Sequence, residues 1–516
     1  MALDGVRNEP VNNSQPAETA KPAKAPQPPT PQAQAPDAKG VDQAAANYQT
    51  DAAATTADTP VTDANLQTEV QNKRTEAQLT DGAKPADPTI TVNGDNVTIE
   101  TGADDDTVKV SQDAKSGEVT VNVNGKDYKY SGAQSENITI RAGQGNDVIE
   151  VGKDVTVSFR LEGGAGDDKI TGGAGRDYIN GSKGNDTIYG GGGDDIIYGG
   201  DGNDFINGGD GNDYLDGGKG NDSAFGDAGN DIVSGGLGDD WVSGGVGDDK
   251  LYSGGGKDTL TNMGGNDTLY MQTAEDKTLL AGTATNKVVN VELIGNPGDV
   301  SVKVEGSDEF KERVEADLEF YRSSPTGRAM LEAFDKRNKD TGSDGFSLFG
   351  VTIGKKEGYT VTIREIDSGA AADSPGNAGP WIDLHTGKPG KGGSGEVSYP
   401  VAERTLYGND PKDPNDNWND APPSVILFHE LAHNYDYLYG TLVRDKYTGT
   451  DKVDSYNGGI NNRERVATGL PIDHDLDPST PEQILPQHPY QLTENGIREE
   501  LALEKRPSYN NPKWVP

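Results

Sequence analysis

The stretch GGAGDDKITGGAGRDYINGSKGNDTIYGGGGDDIIY, residues 163–198, decides the fold, because it is four copies of one nine-residue unit. The period runs unbroken to Tyr270, where the last units read GGVGDDKLY, SGGGKDTLT and NMGGNDTLY, and twelve units are present in all. The fourth position is Gly in every unit, from Gly166 to Gly265. The sixth is always Asp: Asp168, Asp177, Asp186, Asp195, Asp204, Asp213, Asp222, Asp231, Asp240, Asp249, Asp258 and Asp267. The eighth is aliphatic, from Ile170 to Leu269, with Ala224 the smallest. Six residues make a turn that glycine permits, and three make a short strand. Two units then complete one coil of a parallel β-roll. Eighth-position side chains from both faces meet in a thin apolar core, and the sixth-position carboxylates stack with turn carbonyls along two edges.

Charge adds a condition. Residues 163–270 hold 20 Asp, no Glu and six Lys or Arg, a net charge of −14. Carboxylate and carbonyl oxygens are the ligands calcium takes, so the twelve sixth-position Asp residues are candidate calcium ligands. Without the ion the carboxylates repel one another and three-residue strands cannot hold the coil, so binding and folding are expected to be coupled. The pattern resembles the RTX nonapeptide family, G-G-x-G-x-D-x-U-x, which implies several structural Ca2+ ions.

Composition sets limits around this array. The chain has 516 residues, only 32% of them hydrophobic and 6% aromatic, which is too little for one continuous core. The formal net charge is −39, a surface that repels nucleic acid and anionic lipid and attracts cations. There is no Cys, so disulfides and thiolate metal sites are excluded and any zinc must use nitrogen and oxygen ligands. No window reaches the roughly 18 apolar residues of a spanning helix. The opening MALDGVRNEP lacks a basic region followed by an apolar run, so no cleavable signal peptide is evident.

Outward from the array, residues 88–162 alternate apolar and polar side chains between Asn-Gly and Asp-Asn turns, as in TITVNGDNVTIE and EVTVNVNGKDYKY, and read as a β-rich N-terminal cap. TGADDDTVKV and AGQGNDVIEV within it already resemble the repeat. Residues 1–87, rich in Ala, Pro and Gln, read as a disordered tail. In residues 271–304, KVVNVELIG and DVSVKVEG read as strands of a closing β cap. Residues 305–516 read as an α+β domain. DEFKERVEADLEFYR and PTGRAMLEAFDKR have helical apolar spacing with a break at Ser324–Pro325, YTVTIREI alternates like a strand, and a Gly- and Pro-rich loop follows from about Ser368 to Glu396.

That domain holds APPSVILFHELAHNYDYLYG, whose helix is expected to start at Pro422–Pro423 with Ser424 as its cap. Val425, Ile426, Phe428, Leu431, Ala432, Tyr435 and Leu438 make it largely apolar, hence buried. His429 and His433 lie four apart, on one face, where both imidazoles reach one zinc ion. Glu430 is placed to take a proton from a zinc-bound water as general base. The third ligand is open. The extended metzincin pattern would place Gly at 436 and a ligand at 439, but Asp436 and Tyr439 stand there. Glu464 is the leading candidate, with Asp473 and His474 as rivals and Asp436 as a partner for a ligating histidine. Tyr447, Tyr456, Arg463 and Arg465 are candidates to stabilise an oxyanion. His385 and His488 read as surface or structural residues.

HELAHNYDYLYG, with SSPTGRAMLEAF before it and NNRERVATGLPIDHD after it, resembles the NleD/HopH/XopG-type effector zinc metallopeptidases over roughly Ser307–Pro516. Asn461 to Pro471, N-x-x-E-x-x-A-x-G-L-P, is its more selective segment. The HELAH…LYG stretch is also similar to clostridial neurotoxin light chains. The resemblance implies a zinc endopeptidase acting on protein or peptide substrates, host proteins among the candidates. With the repeat array it implies export by bacterial secretion machinery, an extracellular location or delivery into a host cell, and virulence as a role. The competing expectation is a calcium-dependent adhesion or matrix protein whose zincin domain is inert.

Overall fold

The computed structural model describes residues 87–280, 286–291, 296–342, 346–348, 351–353, 358–365, 371–373, 394–399, 422–439, 462–468, 470, 488–503 and 505. The expectations for the N-terminal tail, for most of the Ser368–Glu396 loop and for His385, Tyr447, Tyr456, Asp473 and His474 lie outside these residues.

The nine-residue period becomes two eleven-stranded sheets. Within the array each strand pairs in parallel with the strand eighteen residues on. Ile179, Ile197, Leu215, Val233, Leu251 and Leu269 stand in register in one sheet. Ile170, Ile188, Ile206, Ala224, Val242 and Leu260 do so in the other. All twelve are fully buried, in one core shared by both sheets. The same core continues through Ile99, Val108, Ile140, Ile149 and Leu161, so the roll begins before the first regular unit. Strands Asn96–Gly102, Ile138–Gln144 and Phe159–Ala165 extend one sheet in parallel, and Thr107–Gln112 and Val148–Val151 extend the other. Antiparallel hairpins finish this end: Thr89–Asn93 on Asn96–Gly102, and Val119–Val123 on Lys126–Tyr130 beside Thr107–Gln112. The second hairpin turns at Asn124–Gly125, both with positive φ, the backbone that a two-residue hairpin loop requires.

The two stretches expected to close the other end part company. Lys287–Asn290 adds a parallel rung beside Thr268–Met271, just as Lys277–Leu280 does beside Thr259–Asn262. Val302–Glu305 instead enters a four-stranded sheet, pairing in parallel with Val361–Glu365, which pairs with Gly395–Tyr399; Ala371–Asp373 lies antiparallel on the far edge.

Five α-helices accompany this second sheet among the described residues: α1 (Asp308–Ser323), α2 (Pro325–Thr341), α3 (Pro423–Tyr439), α4 (Asn462–Thr468) and α5 (Glu494–Glu500). The Ser307 hydroxyl caps α1 by accepting from the Phe310 amide. Ser324 ends α1 and caps α2, accepting from the Gly327 amide, and Pro325 fills the first helical position. Those two residues therefore make the break read from the sequence. At α3 the expectation needs correcting. Pro423 is the first helical residue, the Pro422 carbonyl accepts from Val425, and Ser424 sits inside the first turn. Proline at the first position needs no amide partner, so the helix starts without a hydroxyl cap.

Helix α1 packs on an outer face of the roll. Tyr178, Ile196, Tyr198, Tyr214, Ile232, Tyr252 and Tyr270 project from successive coils and join Phe310, Val314, Leu318, Phe320 and Tyr321 in one buried cluster. The Phe320 ring meets Tyr214 and Tyr252 edge-on at 5.9 and 4.9 Å, and Tyr252 stacks on Tyr270 at 4.5 Å. The Arg313 guanidinium lies 3.8 Å from the Tyr198 ring centre and pairs with buried Asp317 at 2.7 Å. The same cluster extends through Tyr321 to Phe428 of α3, ring centres 5.6 Å apart. The core of the second region thus rests on the roll.

Candidate functional site

Helix α3 carries His429, Glu430 and His433, all buried. Four-residue spacing puts the histidines on one face, with ring centres 4.8 Å apart and planes at 88°. Behind them is a residue the sequence did not single out. Glu494, at the start of α5, places Oε2 3.0 Å from His429 Nδ1. Its Oε1 accepts from Arg498 Nε at 2.7 Å, one turn along. Glu494 and Arg498 have no exposed surface. A carboxylate this close to Nδ1 favours a proton on that nitrogen, which would leave Nε2 as a lone-pair donor, the form a metal ligand needs. The signal in sequence was faint: Glu four residues before Arg in TENGIREE is an ordinary helix-surface pair.

Asp436 Oδ2 lies 2.9 Å from His488 Nδ1, and His488 Nε2 is 2.9 Å from the Leu492 carbonyl. Burial opposes charge on the His488 ring, but the Asp436 charge and hydrogen bonds from both sides raise its pKa above the ordinary value. His488 therefore has a structural place: it ties the end of α3 to the segment leading into α5. Glu464 lies on α4, which packs beside α3, and its side chain is outside the described ones. Arg465 of the same helix is buried. Among the described residues no set of three His, Asp or Glu side chains stands ready as a metal cage.

One contact ties α3 to α1, and another runs from α5 to the roll. The Tyr321 hydroxyl donates to the Ser424 carbonyl at the start of α3. Glu500, at the far end of α5 from Glu494, accepts from the Tyr252 hydroxyl at 3.1 Å and from the Thr326 amide at 2.8 Å.

Along the edges of the roll, all twelve sixth-position Asp residues fall into two ladders. The amide of Asp168 donates to Oδ1 of Asp186, Asp186 to Asp204, Asp204 to Asp222, Asp222 to Asp240 and Asp240 to Asp258, at 2.7–2.9 Å. The other edge runs from Asp177 through Asp195, Asp213, Asp231 and Asp249 to Asp267. Oδ2 of Asp186, Asp204, Asp222, Asp240 and Asp258, and of Asp213, Asp231, Asp249 and Asp267, has no hydrogen-bond partner among the described residues. Burial, opposed by the amide bond and reinforced by neighbouring carboxylates, pushes Asp204 up to about 8 and Asp240 up to about 9. Buried carboxylates with one bare oxygen, repeated at each coil, fit a row of calcium ions. A further ladder was missed. Fifth-position Asn and Asp side chains accept the amide of the same position one coil on, as in Asn185 to Asn203 to Asn221 and Asn212 to Asn230.

A β-roll edged by carboxylate ladders and joined to a mixed sheet with a buried H-E-x-x-H helix defines a calcium-binding repeat protein with a peptidase-like domain. Comparison with family models agrees. Residues 299–509 match the M91 peptidase model, described as an effector protein, and residues 160–269 match the RTX calcium-binding nonapeptide repeat in six overlapping segments. These matches support a fusion of RTX calcium-binding repeats with an M91-type peptidase effector domain. No curated protein matches it.

Proposed function

We propose that the chain is a secreted zinc-dependent endopeptidase that hydrolyses protein substrates, and that its β-roll folds on meeting calcium outside the producing cell. The observation that carries the enzymatic reading is the buried face of α3, where His429 and His433 stand together with the Glu494 carboxylate 3.0 Å from His429 Nδ1. His429 and His433 would hold the metal, with Glu464 as the proposed third ligand. Bound zinc would supply Lewis-acid polarisation of the scissile carbonyl and a water acidified toward neutral pH. Glu430, next to the first histidine, would accept the proton of that water and pass it to the leaving amine. Arg465, buried on the neighbouring helix, is one candidate to stabilise the oxyanion; Arg463, Tyr447 and Tyr456 are the others.

The secretion reading is supported by the charge of the array. At −14 over residues 163–270, the calcium-free roll repels itself and stays extended, as passage through a narrow channel requires. No helix among the described residues is long and apolar enough to cross a membrane.

The test is cleavage of a complex proteome by wild type against Glu430→Gln, in calcium and with one zinc equivalent. Loss of general-base catalysis is expected to cost about 10²–10⁴-fold in rate with the fold intact. Equal cleavage patterns from the two proteins, or folded protein that takes up no zinc, would favour an adhesion or matrix role for the calcium-binding roll.

A further inference from the structure

Two coils at the N-terminal end of the roll lie before the matched repeats and carry the same edge chemistry. Residues 101–106 and 142–147 each end a turn on an Asp, and Val108 and Ile149, two residues later, are fully buried in the core as eighth-position side chains are. The Asp106 amide donates to Asp147 Oδ1 at 2.6 Å, and the Asp147 amide to Asp168 Oδ1 at 2.8 Å. The first array ladder therefore begins at Asp106. The outer ladder begins there too, since Asp105 Oδ1 accepts from the Asn146 amide. The coils stack as closely as in the array: a Cβ on Gly143 would lie 2.1 Å from the Gly102 carbonyl oxygen, and one on Gly145 2.6 Å from that of Asp104.

Asp106 and Asp147 are each 2% exposed, and Oδ2 of each has no hydrogen-bond partner among the described residues. At the end of the ladder no earlier coil among the described residues supplies an amide to Asp106 Oδ1. Asn124, at the tip of the Val119–Tyr130 hairpin, fills that place. Its Nδ2 donates to Asp106 Oδ1 at 2.5 Å, its Oδ1 accepts from the Thr107 amide, and its own amide donates to the Thr107 carbonyl. This leaves Oδ2 bare, as at the array positions. Burial, with the charges of Asp168, Asp106 and Asp105 behind it, pushes Asp147 up to about 7. Two buried carboxylate oxygens without donors, one coil apart, are a desolvation cost that a hard divalent cation removes.

We propose that a calcium ion binds between these two coils, held by Asp106 and Asp147, and that it locks the Val119–Tyr130 hairpin onto the end of the roll through Asn124. The repeat pattern hides this site. The two Asp residues are 41 apart and Asp147 is 21 from Asp168, in place of 18, because the hairpin and a bend are inserted between coils. Thr101, Ala142 and Asp104 also stand where the unit has Gly.

The test counts calcium by elemental analysis in full-length wild type, Asp106→Asn and Asp147→Asn, each equilibrated with calcium and freed of excess. Asp106→Asn is expected to hold about one ion fewer per chain, and Asp147→Asn, which also stands one coil from Asp168, at least one fewer, while the array keeps its β circular dichroism. An unchanged count in folded variants overturns the proposal. Asn124→Ala leaves both carboxylates in place and is expected to keep the full count while the hairpin amides exchange faster; a hairpin as protected as in wild type overturns the lock. Should the Asp variants fail to fold, hydrogen exchange of wild type decides. Protection at Val119–Tyr130 is expected to rise between calcium-limited and calcium-saturated protein whose roll is folded in both, and unchanged protection overturns the site.

Discussion

Glu494 joins two buried partners, His429 on one oxygen and Arg498 on the other, so its removal acts on both stability and the site. Glu494→Ala removes a buried carboxylate from between Arg498 and His429, which is expected to cost about 3–5 kcal/mol in denaturant unfolding. It also removes the carboxylate beside His429 Nδ1, and zinc affinity measured against a competing chelator is expected to fall about 10–100-fold. Glu494→Gln keeps an acceptor for Nδ1 and is expected to recover much of the zinc affinity; equal loss in both variants would assign Glu494 a packing role alone. His488 gives the pH response. Its folded pKa lies above the unfolded value, so its stabilisation is fully present below about pH 6.5 and is lost as pH rises through the folded pKa. In saturating calcium the melting temperature is expected to decline across that window, and His488→Gln to flatten the decline. An identical slope in the variant would move the effect elsewhere. The H-E-x-x-H motif was legible because helical spacing alone puts its two histidines on one face. Glu494 and the Asp436–His488 pair were not, because their partners are about 50 to 65 residues away in sequence and meet only when α5 folds against α3.

The coil of the roll follows from its turns. Gly220 has φ 130°, and a Cβ there would lie 1.5 Å from the Gly202 carbonyl oxygen of the preceding coil. Gly220→Ala is therefore strained in backbone, by about 1–3 kcal/mol, and clashes besides. The calcium concentration at half-folding, followed by circular dichroism, is expected to rise several-fold; an unchanged midpoint would mean that the coil opens without cost. Eighth-position packing was legible from the period, since residues eighteen apart must stand in register once two units close a coil. The fifth-position ladder was visible only as a preference for Asn and Asp, because its purpose, accepting an amide one coil on, exists only in the stacked form. Val302–Glu305 reads as a strand from its alternation, but alternation does not say which sheet takes it.

The whole molecule joins its two functions through shared packing. Phe320 and Tyr321 of α1 lie between the tyrosines of the roll and Phe428 of α3, and α5 carries Glu494 at one end and the Tyr252 partner Glu500 at the other. The tyrosine face exists only while the coils are stacked. Calcium removal without loss of zinc chelation capacity is expected to loosen the second region as well as the roll, measured as faster proteolysis within α1 and release of zinc from the histidine site. Phe320→Ala, a buried aromatic loss of about 3–5 kcal/mol, is expected to produce the same loosening in calcium-loaded protein. Retention of zinc and protease resistance after calcium removal would show that the second region folds independently of the roll.

Sequence alone determined the roll, its register, its two carboxylate edges and the histidine face of α3, because each follows from a short period acting on neighbouring residues. Tertiary structure decided the rest: that the ladder starts at Asp106, that Glu494 backs His429, and that the roll serves as a wall of the peptidase-like region. These contacts join residues separated by insertions or by whole elements, and no local pattern encodes where such segments meet.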